Sequence, residues 1–474
     1  MRKKLFVIFI VAFLFRLIAL NQSLWLDEAT TARVVQQYNY AQIITKFSPS
    51  DFHPPLFYIF MKAWSNIFGY AEVVLRMPSV LFSLSCGYIV YVLYIRMSRD
   101  RSRRAPSSVA KWGPVPTNGL FAVIFFLFNP LIIYYSQEAR MYMMVTFLLS
   151  VSLYYFMVII TSKSLSSELR ATILFNLFTA LSFLTFYGSI FMIAAYYIVL
   201  LWKRQFALLI KLLPGFVIAL LVVTPLLYQQ FLHSREALQI VTNWKAALGP
   251  ASLKNLFLIP LKFSLGRISF EPKNLYYLLS LPWTLFILFI ASRGIVKQKL
   301  FGVLCILPVF LGLVFSFFSP LLQYFRFLYL LPILSILLAN SYASQRQLIK
   351  LVLATIVLLG FAGLSCMYVL NPVFHRENWR DAALSVNNKK EIYMIVSSSD
   401  PIRYYGNKSL LKDLRTLSVV QNLPDKIVVI PYTSDIYGYD YKTNLINKGY
   451  ASTSIKNFRG VTVEEWQRIK QPTN

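Results

Sequence analysis

The stretch Asn21–Pro78 carries Trp25-Leu26-Asp27-Glu28-Ala29 and, further on, His53-Pro54-Pro55-Leu56-Phe57-Tyr58. It lies between two apolar segments, Leu5–Leu20 and Val73–Ile95, and is too polar to be a membrane span itself. It also holds Asp27, Glu28, Asp51 and Glu72, in a chain with few acids near its apolar regions. A carboxylate pair just beyond a span is expensive to keep beside hydrocarbon and marks a reaction centre. Residues 21–72 therefore read as the catalytic first outer loop of a membrane enzyme.

Composition supports a bilayer setting. Of 474 residues, 57% are hydrophobic and 14% charged, where a soluble chain carries about 25% charged residues. The expected fold is an all-α polytopic membrane protein, with lipid as the solvent for most of its core. A net charge of +28 would suit a polynucleotide. The basic residues, however, fall in short loops between apolar runs and form no continuous basic face, so no nucleic-acid partner is expected. Cys86, Cys305 and Cys366 lie in apolar segments, which argues against both a disulfide framework and a thiolate nucleophile. Phosphate-binding glycine loops and the HExxH zinc signature are absent from the sequence.

The apolar segments are Leu5–Leu20, Val73–Ile95, Leu120–Tyr135, Met141–Ile160, Ala171–Phe186, Ile190–Trp202, Phe206–Tyr228, Tyr276–Ala291, Leu300–Phe318, Phe325–Asn340 and Leu348–Leu370. They predict about eleven transmembrane helices. Arg2-Lys3-Lys4 place the N-terminus in the cytoplasm. The inner loops then hold Arg96 to Lys111, Lys163 and Arg170, Lys203 to Lys211, Arg293 to Lys299, and Arg346 and Lys350, as the positive-inside rule demands. On that count nearly every acid of the membrane region lies outside. Arg16 falls near the outer end of the first span, where it would snorkel to headgroups or meet an anionic ligand.

Two outer loops are long. In the first, Ala29–Tyr40 and Leu56–Phe68 suit short interfacial helices. The second, Gln229–Leu275, carries His233, Arg235, Lys245, Lys254, Lys262, Arg267 and Lys273 among aromatics, a pattern that suits a lipid phosphate or the headgroup layer. After residue 370 the character changes. Glu391–Val396 and Lys426–Ile430 read as buried strands, Asp400–Tyr405 and Glu464–Lys470 as helix candidates. The expected division is a membrane domain, 1–370, and a small extracytoplasmic α/β domain, 371–474.

Asp27-Glu28 alone also suits the first turn of a helix. It occurs, though, with His-Pro-Pro-Leu, Phe68-Gly69-Tyr70-Ala71-Glu72, Arg76-Met77-Pro78-Ser79 and Ser136-Gln137-Glu138-Ala139-Arg140-Met141-Tyr142. Gln323-Tyr324-Phe325-Arg326 and Asn378-Trp379-Arg380-Asp381 follow later. This set resembles the polytopic glycosyltransferases of the GT-C superfamily. It is similar above all to the protein mannosyltransferase group (glycosyltransferase family 39) and the bacterial aminoarabinose and rhizobial lipopolysaccharide sugar transferases. The likeness is dense over the first 150 residues, thin in the middle, and does not fix the tail.

The resemblance implies an integral-membrane inverting glycosyltransferase that takes sugar from a polyprenyl-phosphate donor to an acceptor hydroxyl on protein, lipid or glycan at the outer face. It implies Asp27 as the base, with Glu28 beside it. His53, Glu138, Arg140 and Arg326 are implied as substrate-binding residues, the cations for phosphate and Glu138 for the acceptor. A divalent metal assists some members of the group, but no ligand set for one is readable here. The alternative is a lipid-linked sugar flippase or polysaccharide transporter, which calls for charged or helix-breaking residues near the midplane.

Overall fold

The computed structural model describes residues 2–104, 115–161, 164–241, 243, 253–319, 322–342, 345–387, 391–406 and 411–469. In chain order the principal helices are α1 (Arg2–Leu17), α2 (Leu26–Gln37), α3 (Leu56–Phe68), α4 (Glu72–Arg104), α5 (Val115–Leu127), α6 (Pro130–Ser136), α7 (Tyr142–Thr161), α8 (Leu165–Thr185) and α9 (Ile190–Trp202). There follow α10 (Phe206–Leu212), α11 (Pro214–Ile240), α12 (Leu253–Leu265), α13 (Lys273–Lys297), α14 (Lys299–Ser316), α15 (Leu331–Tyr342) and α16 (Gln347–Leu370). Every apolar segment of the sequence is helical, and the protein is a multi-pass membrane protein. Lys111 and Lys163, two of the inner-loop cations, lie outside the described residues, as does Lys245 of the second outer loop.

Among the described residues seven helices are long and apolar enough to cross a membrane, or eight if a bent pair is one span. The remaining expected segments are helical but shorter or less apolar, for local reasons. α1 has 16 residues and α9 has 13. α8 opens on Ser166, Ser167, Glu168 and Arg170, which dilute its apolar run. α5 and α6 meet at a 56° bend, where Pro130 cannot continue the amide ladder. Side chains satisfy the groups freed there. Asn129 accepts from Leu131 N at 2.9 Å and donates to Phe263 O at 2.8 Å.

Arg16 completes that joint. It neither snorkels nor faces a ligand: it is buried and donates to Ser83 Oγ, Ala12 O and Leu127 O at 2.8–2.9 Å. Leu127 O is a carbonyl left open by the bend, and a guanidinium's fork can reach it and two further oxygens at once.

Of the first outer loop, α2 and α3 are short helices close to the segments expected for them. The stretch 229–275 is more ordered than a loop, because α11 runs on to Ile240 and α12 occupies part of the remainder. Beyond α16 come α17 (Trp379–Val386), β1 (Ile392–Met394), α18 (Asp400–Tyr405), β2 (Leu411–Asp413), β3 (Lys426–Ile430), α19 (Tyr441–Asn447), β4 (Tyr450–Phe458) and β5 (Val461–Arg468). They build a five-stranded sheet in the order β2-β1-β3-β5-β4. β1 runs parallel to β2 and β3, and β5 runs antiparallel to β3 and β4. One sheet face buries Ile392, Met394, Val428 and Ile430 under Trp379; the other buries Tyr393, Val429 and Trp466. Glu464, expected in a helix, is in β5 because Val461, Val463 and Trp466 lie buried along a strand paired on both sides.

The carboxyl ends of β1 and β3 face the first outer loop. Asp400, after β1, pairs with Arg33 of α2 and accepts from Thr30 Oγ1 at 2.8 Å. Arg380 of α17 bonds Glu72 Oε1 at 2.6 Å and Asn21 O at 2.7 Å. Tyr405 donates to Glu72 and accepts from Leu24 N. The sheet domain is thus a roof over α2, on the same side of the bundle as the acidic loop.

Candidate active site

α2 begins after an extended Trp25 (φ −85°, ψ 176°) and puts both acids in its first turn, where the helix dipole favours negative charge. Neighbours on a helix point about 100° apart, and here that separates their fates. Glu28 is 1% exposed. Arg76 Nε and Nη2 grip its two oxygens at 2.8 and 2.5 Å, and Ala139 N donates to Oε1 at 2.7 Å. Arg76 also donates to Leu20 O and Ser23 O at 2.8 and 3.1 Å. Glu28 therefore joins three of the sequence motifs into one scaffold, and its oxygens are already occupied.

Asp27 is the reachable acid. Its side chain is 37% exposed, and the buried Arg140 holds it with Nη2 at 3.6 Å from Oδ2. Arg140 Nη1 donates to Tyr58 OH at 3.0 Å, Tyr58 OH donates to Asp51 Oδ2 at 2.9 Å, and His53 Nδ1 meets the same oxygen at 3.0 Å. One relay thus gathers Asp27, Arg140 and His53. Its connecting groups, Tyr58 and Asp51, stand inside the stretch Asn21–Pro78 that the sequence reading singled out, but that reading gave them no site role.

Glu138 is 3% exposed and is not paired with its sequence neighbour Arg140. It faces Arg376 Nη2 at 3.6 Å, and neither of its oxygens has a hydrogen-bond partner among the described residues. Burial pushes its carboxyl up to about 7, against the pull of Arg376, Arg267 and Arg140. Arg326 is half-buried on the turn Tyr324–Leu330 and acts on Tyr142, which Arg140, Glu138 and Asp27 also reach.

The sequence offered no way to choose Arg267 from the other cations of its loop. Gly266 does so in the structure. Its φ is +70°, and a Cβ there would fall 2.9 Å from Pro130 Cβ, so the turn packs directly on the start of α6. Arg267 Nη1 donates to Tyr134 OH at 2.8 Å, and Arg376 Nε uses the same phenol. Two guanidiniums thereby share one neutral acceptor. Arg376, Glu377 and Tyr432 bring the sheet domain to the site, and Tyr432 lies in electrostatic reach of Asp27. Among the described residues no three His, Cys, Asp or Glu side chains converge as a metal site. Arginines stand between the acids instead.

Apolar helices around an acidic loop, under a sheet roof, make a fold that the chain shares with solved structures. It is similar over 98% of its length to ArnT from Cupriavidus metallidurans. For the apo state the TM-score is 0.58 at 13% identity, with 98% of that chain covered. For ArnT bound to undecaprenyl phosphate it is 0.58 at 12% identity, with 96% covered. The Archaeoglobus fulgidus oligosaccharyltransferase, in complex with Zn and sulfate, matches with a TM-score of 0.52 at 10% identity, over 89% of this chain and 68% of that one. At these identities the likeness is one of fold. No protein-family model and no curated protein sequence matches.

Proposed function

We infer that the protein is an integral-membrane glycosyltransferase moving a sugar from a polyprenyl-phosphate donor to an acceptor hydroxyl, with inversion. The observation that carries this reading is Asp27, a reachable carboxylate held by a buried arginine relay at the membrane edge. In a single displacement the acceptor O–H gives its proton to Asp27 as its oxygen bonds to the anomeric carbon. The bond from that carbon to the phosphate oxygen breaks, and the electron pair leaves on polyprenyl phosphate. Arg267 and Arg326 suit that leaving anion, since a guanidinium can grip two phosphate oxygens. His53 stands behind Arg140 in the relay, and Glu138 faces the sugar or the acceptor. Glu28 becomes a positioning residue that fixes the loop through Arg76.

The ArnT likeness supports the donor class, because one of the two ArnT structures is bound to undecaprenyl phosphate. Loop charge supports an extracytoplasmic site, with the N-terminus in the cytoplasm and residues 371–474 as an outer-face domain over the membrane domain 1–370. The test is to add a sugar-labelled polyprenyl-phosphate pool, with an envelope fraction as acceptor, to the purified protein in nanodiscs. Label should leave the lipid, free polyprenyl phosphate should accumulate, and the labelled product should identify the acceptor as protein, lipid or glycan. Labelled lipid that crosses between leaflets with its sugar intact would make the protein a transporter.

A further inference from the structure

Between the loop and the roof lies a set of polar groups, Glu138 among them, whose other members the displacement chemistry leaves unused. The Arg376 guanidinium stands 3.7 Å from the centre of the Trp25 ring and 3.6 Å from Glu138. Around it Trp25 Nε1, both Glu138 oxygens and Glu377 Oε2 are buried with no hydrogen-bond partner among the described residues. One donor and three acceptors are thus held dry in one place. Such atoms are rare in folded proteins, since each is costly unless something fills its bonding capacity.

Glu377 is also the most firmly aimed of these groups. Its other oxygen accepts from Tyr432 OH at 3.4 Å. The turn between β4 and β5 clamps the backbone beside it: Asn378 N donates to Arg459 O at 2.8 Å and Arg459 Nε to Arg376 O at 2.7 Å. At that turn Gly460 has φ +72°, and a Cβ on it would stand 2.8 Å from Glu377 Cγ. The glutamate stem is therefore wedged against a residue with no side chain, which fixes the direction of its carboxylate.

We propose that Glu377 is a specificity-determining residue, accepting hydrogen bonds from hydroxyls of a saccharide ring seated beside Arg376, with Glu138 on the far wall and the Trp25 N–H as donor. Hydroxyls both donate and accept, so one ring can meet this mixture of carboxylates, guanidinium and indole. The ring belongs either to the donor or to a saccharide acceptor, which present the same chemistry. The inference rests on the glycosyltransferase reading and adds the group that reads the sugar.

The experiment uses the full chain in nanodiscs with two probes, bare undecaprenyl phosphate and the polyprenyl-phosphate-sugar pool extracted from cells making the protein. Affinity for each is measured for wild type, Glu377→Gln and Glu377→Ala, alongside the KM for an envelope acceptor fraction. Bare carrier should bind all three proteins alike, which also shows that the variants fold. If the ring is the donor's, the sugar-bearing lipid should bind Glu377→Ala at least tenfold more weakly and Glu377→Gln less so. If the ring is the acceptor's, the tenfold change should appear in acceptor KM instead. Bare-carrier binding with neither change overturns the role of Glu377 alone. Wild type that binds neither lipid overturns the glycosyltransferase reading, and this inference with it.

Discussion

Asp27 and Glu28 look interchangeable in the sequence and have opposite surroundings in the fold. Asp27→Asn should leave stability near wild type and lower single-turnover transfer by about 10²–10⁴-fold, with donor binding little changed. Glu28→Ala strips a buried arginine of its partner and should lower unfolding stability by about 3–5 kcal/mol. An inactive but fully stable Glu28→Ala would return Glu28 to the chemistry. Glu138 gives a pH signature. With its carboxyl held at about 7 rather than the ordinary 4.5, the folded state keeps a proton that the unfolded state has already lost between those values. Stability should therefore fall as pH rises through that window and level off above it. Glu138→Gln should remove the slope and, above pH 7, unfold later than wild type by at most about 3 kcal/mol; parallel melting curves at pH 5 and pH 8 decide it. The resemblance of the chain's motifs to those of known glycosyltransferases made Asp27, His53, Glu138, Arg140 and Arg326 readable as candidates. It gave no hint of which acid was enclosed, because Arg76 and the Ala139 amide reach Glu28 only through tertiary packing.

The apolar elements were legible because lipid demands length and hydrophobicity, and both are local properties. Bends and close approaches were not. Gly294 in α13 would, with a Cβ, come within 2.1 Å of Leu337 O in α15, so the two helix backbones touch there. Gly294→Ala should separate them and cost about 1–3 kcal/mol. Gly363→Ala in α16, where nothing lies within 4 Å, should be neutral or slightly stabilising. Equal unfolding midpoints for the two variants in detergent would mean that the contact does not bear on stability. In the tail, Lys426–Ile430 announced a strand by its run of β-branched residues. Val461–Arg468 hid one, because its paired glutamates suit a helix turn equally well until β3 and β4 flank them.

At the scale of the molecule, the roof and the acidic loop share one side, which the proposed function takes to be the exterior. Cysteines placed at Lys203 and Lys426 should then label from opposite faces of the membrane, with Lys426 outside; labelling from one face would reverse the parity of the spans. The order of the sheet bears on how the protein comes to be made. β5 follows every other strand in the chain, yet it lies inside the sheet, hydrogen-bonded to β3 on one side and β4 on the other. The turn that precedes it steadies Arg376 and Glu377. During synthesis the membrane helices and the acidic loop exist long before residue 468 does, and at about 5–20 residues per second the nascent chain spends seconds with its lipid-facing half built and its sheet roof missing. A chain interrupted within the last strand would therefore carry its membrane helices and acidic loop complete while lacking the strand that joins β3 to β4 and the support it gives Arg376 and Glu377.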